Sequence, residues 1–378
     1  MHLENLSLIN FKNYPEAELS FSAKINCFVG PNGAGKTNLL DAIHYLCMCK
    51  SMINTVDSQN VREEEGFFVV QGNFEKEATQ HAIYCGFKKG KKKQFKRNDK
   101  EYARLSEHIG LFPTVVVSPL DMNLILDGSE ERRKFIDSVI SQYNRSYLEA
   151  LIRYNKALAQ RNKLLKDIAT VHQYDESMLE IWDEQLARYG TIIYREREAF
   201  VEQLIPIFNY YYKHISLDRE EVGLTYKSDL HETPLVQLLK DHVAKDRALQ
   251  YTSVGVHKDD LVLSLKERPI KKLGSQGQQK SYLVALKLAQ FDFLKKVSAF
   301  PPLLLLDDVF DKFDRDRVKQ IMRLVADNHF GQIFITDTHP GRLEEILEDL
   351  PIESKLFAID LLANIELRKT YNQANETE

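Results

Sequence analysis

Short apolar runs bounded by turn residues dominate the first 118 positions. Residues 3–10, 17–21, 25–29, 67–74, 82–87 and 114–118 each read as a strand. One segment breaks that rule: Leu39, Leu40, Ile43 and Leu46 recur at helical spacing immediately after Lys36. From Gly128 to about Lys213 the period changes. Apolar residues return at intervals of three and four (Phe135, Val139, Ile140; Tyr147, Leu148, Leu151, Tyr154, Leu158), charges fill the gaps, and turn residues are scarce. This spacing predicts a helical region, with Ser129 ahead of Glu130 and Glu131 as its capped start. The pattern is weak over 214–250. Strands then return at 261–265, 303–306 and 332–336, with a helix over 278–297. The expected fold class is α/β: a head with a mixed sheet and helices, plus an inserted, mainly helical second lobe. Residues 1–118 and 251–378 form the head, and 119–250 the lobe. Heptad seams long enough for an extended coiled-coil arm are absent, and residues 371–378 read as a polar, frayed tail.

Composition narrows the setting more than the function. The 378 residues carry a formal charge of −4, so any polyanion surface has to be local. Cys27, Cys47, Cys49 and Cys85 form no C-x-x-C pair, and three of them lie in or beside apolar elements. The first residues read as a strand and not as a charged-then-apolar leader. No apolar run approaches the ~18 residues that span a bilayer. A cytoplasmic protein without membrane insertion is the expectation.

The chemistry begins at Gly30-Pro31-Asn32-Gly33-Ala34-Gly35-Lys36-Thr37, a complete G-x-x-x-x-G-K-[ST] loop between an apolar strand and a helix. Its glycines allow consecutive backbone N–H groups to curl around a phosphate, and the helix start adds its positive dipole end. Lys36 would neutralise the β- and γ-phosphates and the Thr37 hydroxyl would ligate Mg²⁺, so ATP and Mg²⁺ are the expected ligands. A four-leucine strand then ends in Asp307-Asp308. Carboxylates at such a strand tip sit where a nucleotide crevice forms. Asp307 fits a Mg²⁺-holding role, and Asp308 fits the carboxylate that orients or deprotonates the attacking water. A third signal, Gly274-Ser275-Gln276-Gly277-Gln278-Gln279-Lys280, opens an apolar helix with small residues suited to an anion; Ser275, Gly277 and Gln278 are its candidate contacts.

That third segment resembles the signature loop of ABC-type ATPases, which implies two heads sandwiching two ATP molecules in a twofold dimer. A closer resemblance is to the bacterial RecF family. It rests on the phosphate loop following Asn10-Phe11-Lys12-Asn13-Tyr14, and on Ser118-Pro119 running into Leu124-Ile125-Leu126-Asp127-Gly128-Ser129-Glu130-Glu131-Arg132-Arg133-Lys134-Phe135-Ile136-Asp137. Val256-His257-Lys258-Asp259-Asp260-Leu261, Ser275 to Lys280, and Leu306-Asp307-Asp308-Val309-Phe310 complete it in the family's order. The resemblance implies an ABC-type P-loop ATPase head that binds DNA (gapped, single-stranded or duplex) when ATP-loaded. It implies work with RecO-like and RecR-like proteins in recombinational repair, replication maintenance and the SOS response, with weak, DNA-stimulated hydrolysis.

Several positions depart from ABC-type patterns. Gly274 replaces a leucine, which would loosen the turn, and Asp308 stands where most such ATPases carry glutamate. No glutamine ends the strand near 115–118, and Leu120 stands where RecF proteins often have glutamate. The switch histidine aligns with either Asp337 or His339. Asp311-Lys312-Phe313-Asp314 takes the place of the loop crossing the dimer interface, with Asp314 its best match.

Residues 88–100 hold eight basic side chains and one acidic, a local charge of +7. They read as a charged hairpin, either a solvated tip that protects an edge strand or an arm contacting DNA phosphates through Lys89, Lys91, Lys92, Lys93, Lys96 and Arg97. A second basic candidate is the helical lobe around Arg132, Arg133, Lys134, Arg153, Lys156, Arg161 and Lys163, where solvation is the simpler explanation. Two other functions fit the motifs: an ABC transporter's ATPase subunit, and a non-hydrolysing ATP-gated scaffold.

Overall fold

The computed structural model describes residues 1–170, 177–216, 220–309, 330–348 and 352–371. Two compact units emerge, one of Met1–Asp121 with Lys287–Glu378 and one of Met122–Leu286. The second unit therefore reaches Leu286 and does not stop at the expected residue 250.

In chain order the first unit begins with β1 (His2–Phe11), β2 (Tyr14–Ser20), β3 (Ile25–Val29), β4 (Phe67–Lys76), β5 (Thr79–Lys88), β6 (Gln94–Arg97), β7 (Lys100–Glu101) and β8 (Thr114–Val117). The second unit supplies β9 (Val222–Lys227), β10 (Asp260–Leu265) and β11 (Arg268–Pro269). The chain returns to the first with β12 (Leu303–Asp307), β13 (Ile333–Asp337), β14 (Ser354–Ile359) and β15 (Ile365–Tyr371). Strands β6, β7, β9, β11, β14 and β15 were not anticipated by the hydrophobic pattern. They are partly polar or very short; β9 and β14 pair with strands distant in sequence (β10 and β3), whereas β7, β11 and β15 close short hairpins on β6, β10 and β14.

Two sheets build the first unit. One is antiparallel, in the order β2-β1-β4-β5-β6-β7. The other runs β15-β14-β3-β13-β12-β8, parallel throughout except at β15. Strands β3, β12 and β13 are buried at every position, as apolar strands inside a parallel sheet must be. Phe21, Phe28, Phe334 and Phe357 pack ring against ring between the sheets. The buried Gln332 side chain joins the sheets in polar fashion. Its Oε1 accepts from Leu3 N at 2.7 Å, and its Nε2 donates to the carbonyls of Leu3 and Ser22 at 2.7 and 2.8 Å. Because every parallel strand points the same way, the C-terminal ends of β3, β12 and β13 share one edge.

The second unit packs helices Ser129–Ser141, Arg145–Thr170 and Ser177–Ser216 with the antiparallel sheet β11-β10-β9. Pairing of β10 with β9 across six residues is what draws 251–286 into this unit. Ser129 is the first helical residue and not its cap. Gly128 takes the cap position and no side chain closes the terminus, while Glu130 and Glu131 still favour it through the dipole. Two buried arginines organise the interior. Arg161 binds Asp183 at 2.5 Å and Asp246 at 2.6 Å, and Arg197 binds Asp137 at 2.8 Å and Asp259 at 3.2 Å.

Candidate functional site

The phosphate loop leaves the buried strand β3 and runs into helix Lys36–Met48. Gly33 and Gly35 take positive φ values of 84° and 107°, which side chains rarely adopt. Gly30 is required for a different reason: a Cβ there would lie 2.2 Å from the Ile359 carbonyl oxygen at the end of β14. Lys36 is buried, and its ammonium donates to the carbonyls of Gly30 at 2.7 Å and Pro31 at 3.0 Å. Burial lowers its pKa, while Asp308, Asp307 and Asp337 pull it back up.

Strand β12 delivers Asp307 to this loop. The Thr37 hydroxyl lies 2.9 Å from both Asp307 oxygens, and the Thr336 hydroxyl donates to Oδ1 at 2.8 Å. Burial raises the Asp307 pKa against those hydrogen bonds. Asp308 follows in a left-handed conformation (φ 48°), its N–H donating to Thr336 Oγ1 at 2.9 Å. Asn32, Gly33, Gly35, Lys36, Thr37, Asn38, Asp307 and Asp308 line one cavity of about 200 Å³. Two motifs some 270 residues apart in the chain thus meet as their residue types suggested.

Asn13 and Tyr14, at the β1–β2 turn, prop the loop from below. Asn13 Nδ2 donates to the Ala34 carbonyl at 3.0 Å, Asn38 Nδ2 donates to Asn13 Oδ1 at 2.7 Å, and the Tyr14 hydroxyl donates to the Gly35 carbonyl at 3.1 Å. Sequence reasoning assigned neither residue a role, nor Thr336. A polar turn between two apolar runs is the one local signal, and it carries no hint of a partner 21 residues on.

Of the two switch candidates, Asp337 is buried, accepts from His339 N at 2.8 Å and pairs with Arg342 at 3.3 Å; the His339 side chain is exposed. Residues 311–314 lie outside the described residues.

The signature segment belongs to the second unit. Helix Gln276–Ser298 opens with a reciprocal cap: Ser275 N donates to Gln278 Oε1 at 2.7 Å, and Gln278 N to Ser275 Oγ at 3.3 Å. Gly277 lies in its first turn. Gly274 does not loosen this turn as expected. Its N–H donates to the Ile270 carbonyl at 2.8 Å, and a Cβ would sit 2.8 Å from Ile270 Cγ1, so the close approach demands glycine.

The basic segment forms the β5–β6 hairpin, with Lys89, Lys91 and Lys92 exposed and Lys96 and Arg97 half-buried. Lys93 departs from the expectation. Its ammonium is spent inside the unit on Cys49 O at 2.7 Å, the Tyr45 hydroxyl at 2.9 Å and Asp57 at 3.0 Å. Lys96 lies over the Tyr84 ring. In the lobe, Arg132 grips Asp260, Arg133 the Asp259 carbonyl, and Arg161 is buried; Lys134 is exposed but pairs with Glu130 and Glu131, and Arg153, Lys156 and Lys163 are exposed.

A glycine loop with Lys36 and Thr37, an acidic strand tip against it and a signature turn on a separate unit define an ABC-type P-loop ATPase head. The comparisons narrow that class. Residues 2–353 match the family model described as the RecF/RecN/SMC N terminal domain. The chain is 55% identical over 361 residues to the DNA replication and repair protein RecF of Bacteroides thetaiotaomicron, covering 95% of this chain and 97% of that one. It is 52% identical over 357 residues to RecF of Flavobacterium johnsoniae, covering 94% and 99%. A solved structure described as the recombination mediator protein RecF with ATP in the RecFOR pathway superposes with TM-score 0.88 at 30% identity, over 97% of this chain and 98% of that one. The Smc head domain of Pyrococcus furiosus shares the fold at TM-score 0.57 and 17% identity, over 97% and 96%. The chain belongs to the RecF family of DNA replication and repair proteins. That membership decides against the transporter-subunit reading. Among the described residues no helix is long and apolar enough to cross a membrane.

Proposed function

We propose that this chain binds ATP with Mg²⁺ on the Gly30–Thr37 loop, closes head-to-head with a second copy, and holds DNA while closed. The observation that carries the reading is the convergence of the Lys36 ammonium, the Thr37 hydroxyl and the Asp307 carboxylate on one small cavity. Thr37 and Asp307 are hard oxygen donors in contact, and three carboxylates act on a single desolvated ammonium, a donor set suited to a small divalent cation. Bound there, Mg²⁺ supplies charge neutralisation for the β- and γ-phosphates. The loop N–H groups cradle the phosphates, and Lys36 turns from the Gly30 and Pro31 carbonyls to reach them. Asp308 orients the attacking water with a shorter reach than glutamate, which makes hydrolysis slow. Ser275, Gly277 and Gln278 receive the γ-phosphate held by the second copy. The solved relative described within the RecFOR pathway supports work beside RecO-like and RecR-like proteins. Lys89, Lys91, Lys92, Lys96 and Arg97 supply sequence-independent phosphate contacts to DNA.

Light scattering with no nucleotide, ADP and ATP, each with and without gapped DNA, tests this. ATP should double the mass of the parent, leave Lys36→Ala monomeric, and trap Asp308→Asn as a long-lived dimer. A parent that stays monomeric in ATP with DNA present would refute the closure. Steady-state phosphate release of zero would instead favour the ATP-gated scaffold.

A further inference from the structure

The start of the signature helix is already held by a carboxylate. Glu220 Oε1 accepts from Gln278 Nε2 at 2.6 Å, and its second oxygen accepts from the Tyr212 hydroxyl. Gln278 in turn closes the cap on Ser275, with its Oε1 on Ser275 N and its own N–H on Ser275 Oγ. Both groups that would greet a phosphate are therefore occupied by each other, and the carboxamide joining them is fixed from behind by a negative charge.

The support behind Glu220 is a buried aromatic cluster. Tyr212 is buried near the end of helix Ser177–Ser216 and packs against Phe208 and Tyr282. Tyr282, in the second turn of the signature helix, donates its hydroxyl to the Gly223 carbonyl in β9 at 2.6 Å. Glu220 also lines a hollow of about 780 Å³ with Lys213, Glu221, Lys266 and Glu267, open space beside its carboxylate.

We infer that Glu220 is a positioning residue that locks the signature turn: it pins Gln278 in the self-capped form and places a resident anion beside the helix start, so ATP-driven closure requires its release. This rests on the reading of Ser275–Gln278 as the receiver of the second copy's γ-phosphate. A helix N-terminus favours one nearby anion; a second, incoming anion meets the first as a like charge.

The test is light scattering against ATP concentration for the parent, Glu220→Gln and Glu220→Ala, alongside binding of fluorescent ADP to each. Glutamine keeps an acceptor for Gln278 Nε2 and removes the charge. Glu220→Gln should close at roughly tenfold lower ATP, a coupling of ordinary size, with ADP affinity unchanged because ADP binds the other unit's loop alone. Glu220→Ala should shift in the same direction. Closure of Glu220→Gln at the parent's ATP concentration or above overturns the lock. Weaker closure by Glu220→Ala with Glu220→Gln unchanged shows a supporting role and overturns it too. A parent that never dimerises removes the underlying reading and the lock together, whereas a dimerising parent with an unshifted Glu220→Gln removes the lock alone.

Discussion

Replacing Gly35 by alanine tests whether the β1–β2 turn sets the shape of the phosphate loop. Alanine at φ 107° carries a backbone cost of about 1–2 kcal/mol. Its Cβ would also lie 2.3 Å from Asn13 Nδ2 and 2.7 Å from Asn13 Oδ1, so Asn13 has to leave. Leaving breaks its hydrogen bonds with Ala34 O and Asn38, each contributing about 1 kcal/mol net. The free loop can relax out of the strained shape and the bound loop cannot, so the penalty falls on nucleotide binding. Gly35→Ala should weaken a fluorescent ATP analogue by about 3–4 kcal/mol, a loss of several hundredfold. Asn13→Ala alone should lose about 2 kcal/mol, through the same two hydrogen bonds. The decisive protein is the double variant. Its Asn13 bonds are already gone in the Gly35→Ala background, so it should bind no more weakly than Gly35→Ala. That amounts to a coupling of about 2 kcal/mol in a double-mutant cycle. Binding titrations on the four proteins supply every number without assuming two-state unfolding. Additivity within about 0.5 kcal/mol would refute the propping role.

Three further outcomes follow from the same geometry. Burial lifts the Asp307 carboxyl above its unfolded value, so its charge opposes folding at neutral pH. Asp307→Asn should raise the nucleotide-free melting temperature by about 2–4 °C per kcal/mol relieved while abolishing Mg²⁺-dependent nucleotide binding, and a lowered melting temperature would contradict this. His44, His108 and His257 are each held near pKa 4 chiefly by burial, so the folded state takes up fewer protons than the unfolded one. Stability should be full above about pH 6.5 and fall as pH drops from there toward 4, more shallowly in His257→Gln; a flat melting profile over that range would refute it. Removing Lys91 and Lys92 should reduce the salt-dependence slope of DNA binding by about 1.8, whereas Lys93→Met should leave the slope alone and lower the melting temperature; equal effects from both would remove the distinction.

Legibility in the sequence followed the range of the interaction. The Gly30–Thr37 loop and the Asp307-Asp308 strand end were readable because each is a contiguous run whose chemistry is local: glycines that permit φ 84° and 107°, and apolar residues that end in carboxylates. Their meeting at 2.9 Å was inferred from type and later seen in space. The lysine-rich hairpin was readable as a hairpin, but charge counting could not tell Lys93 from its neighbours, because its partners Asp57 and Cys49 lie 36 and 44 positions away.

Period and motif alone determined the α/β class, the helical middle, the phosphate loop and the acidic strand, since side-chain spacing and backbone freedom are properties of short segments. Tertiary structure decided the rest. It placed the unit boundary at Leu286 through the β9–β10 pairing, chose Asn13 and Tyr14 as props, buried Arg161 and tied Lys93 to Asp57 where composition would leave both in water, and set Glu220 against Gln278. The physical reason is common to all of these: a sheet register or a buried ion pair depends on which distant segments the closed chain brings within hydrogen-bonding distance, and no window along the chain contains both partners.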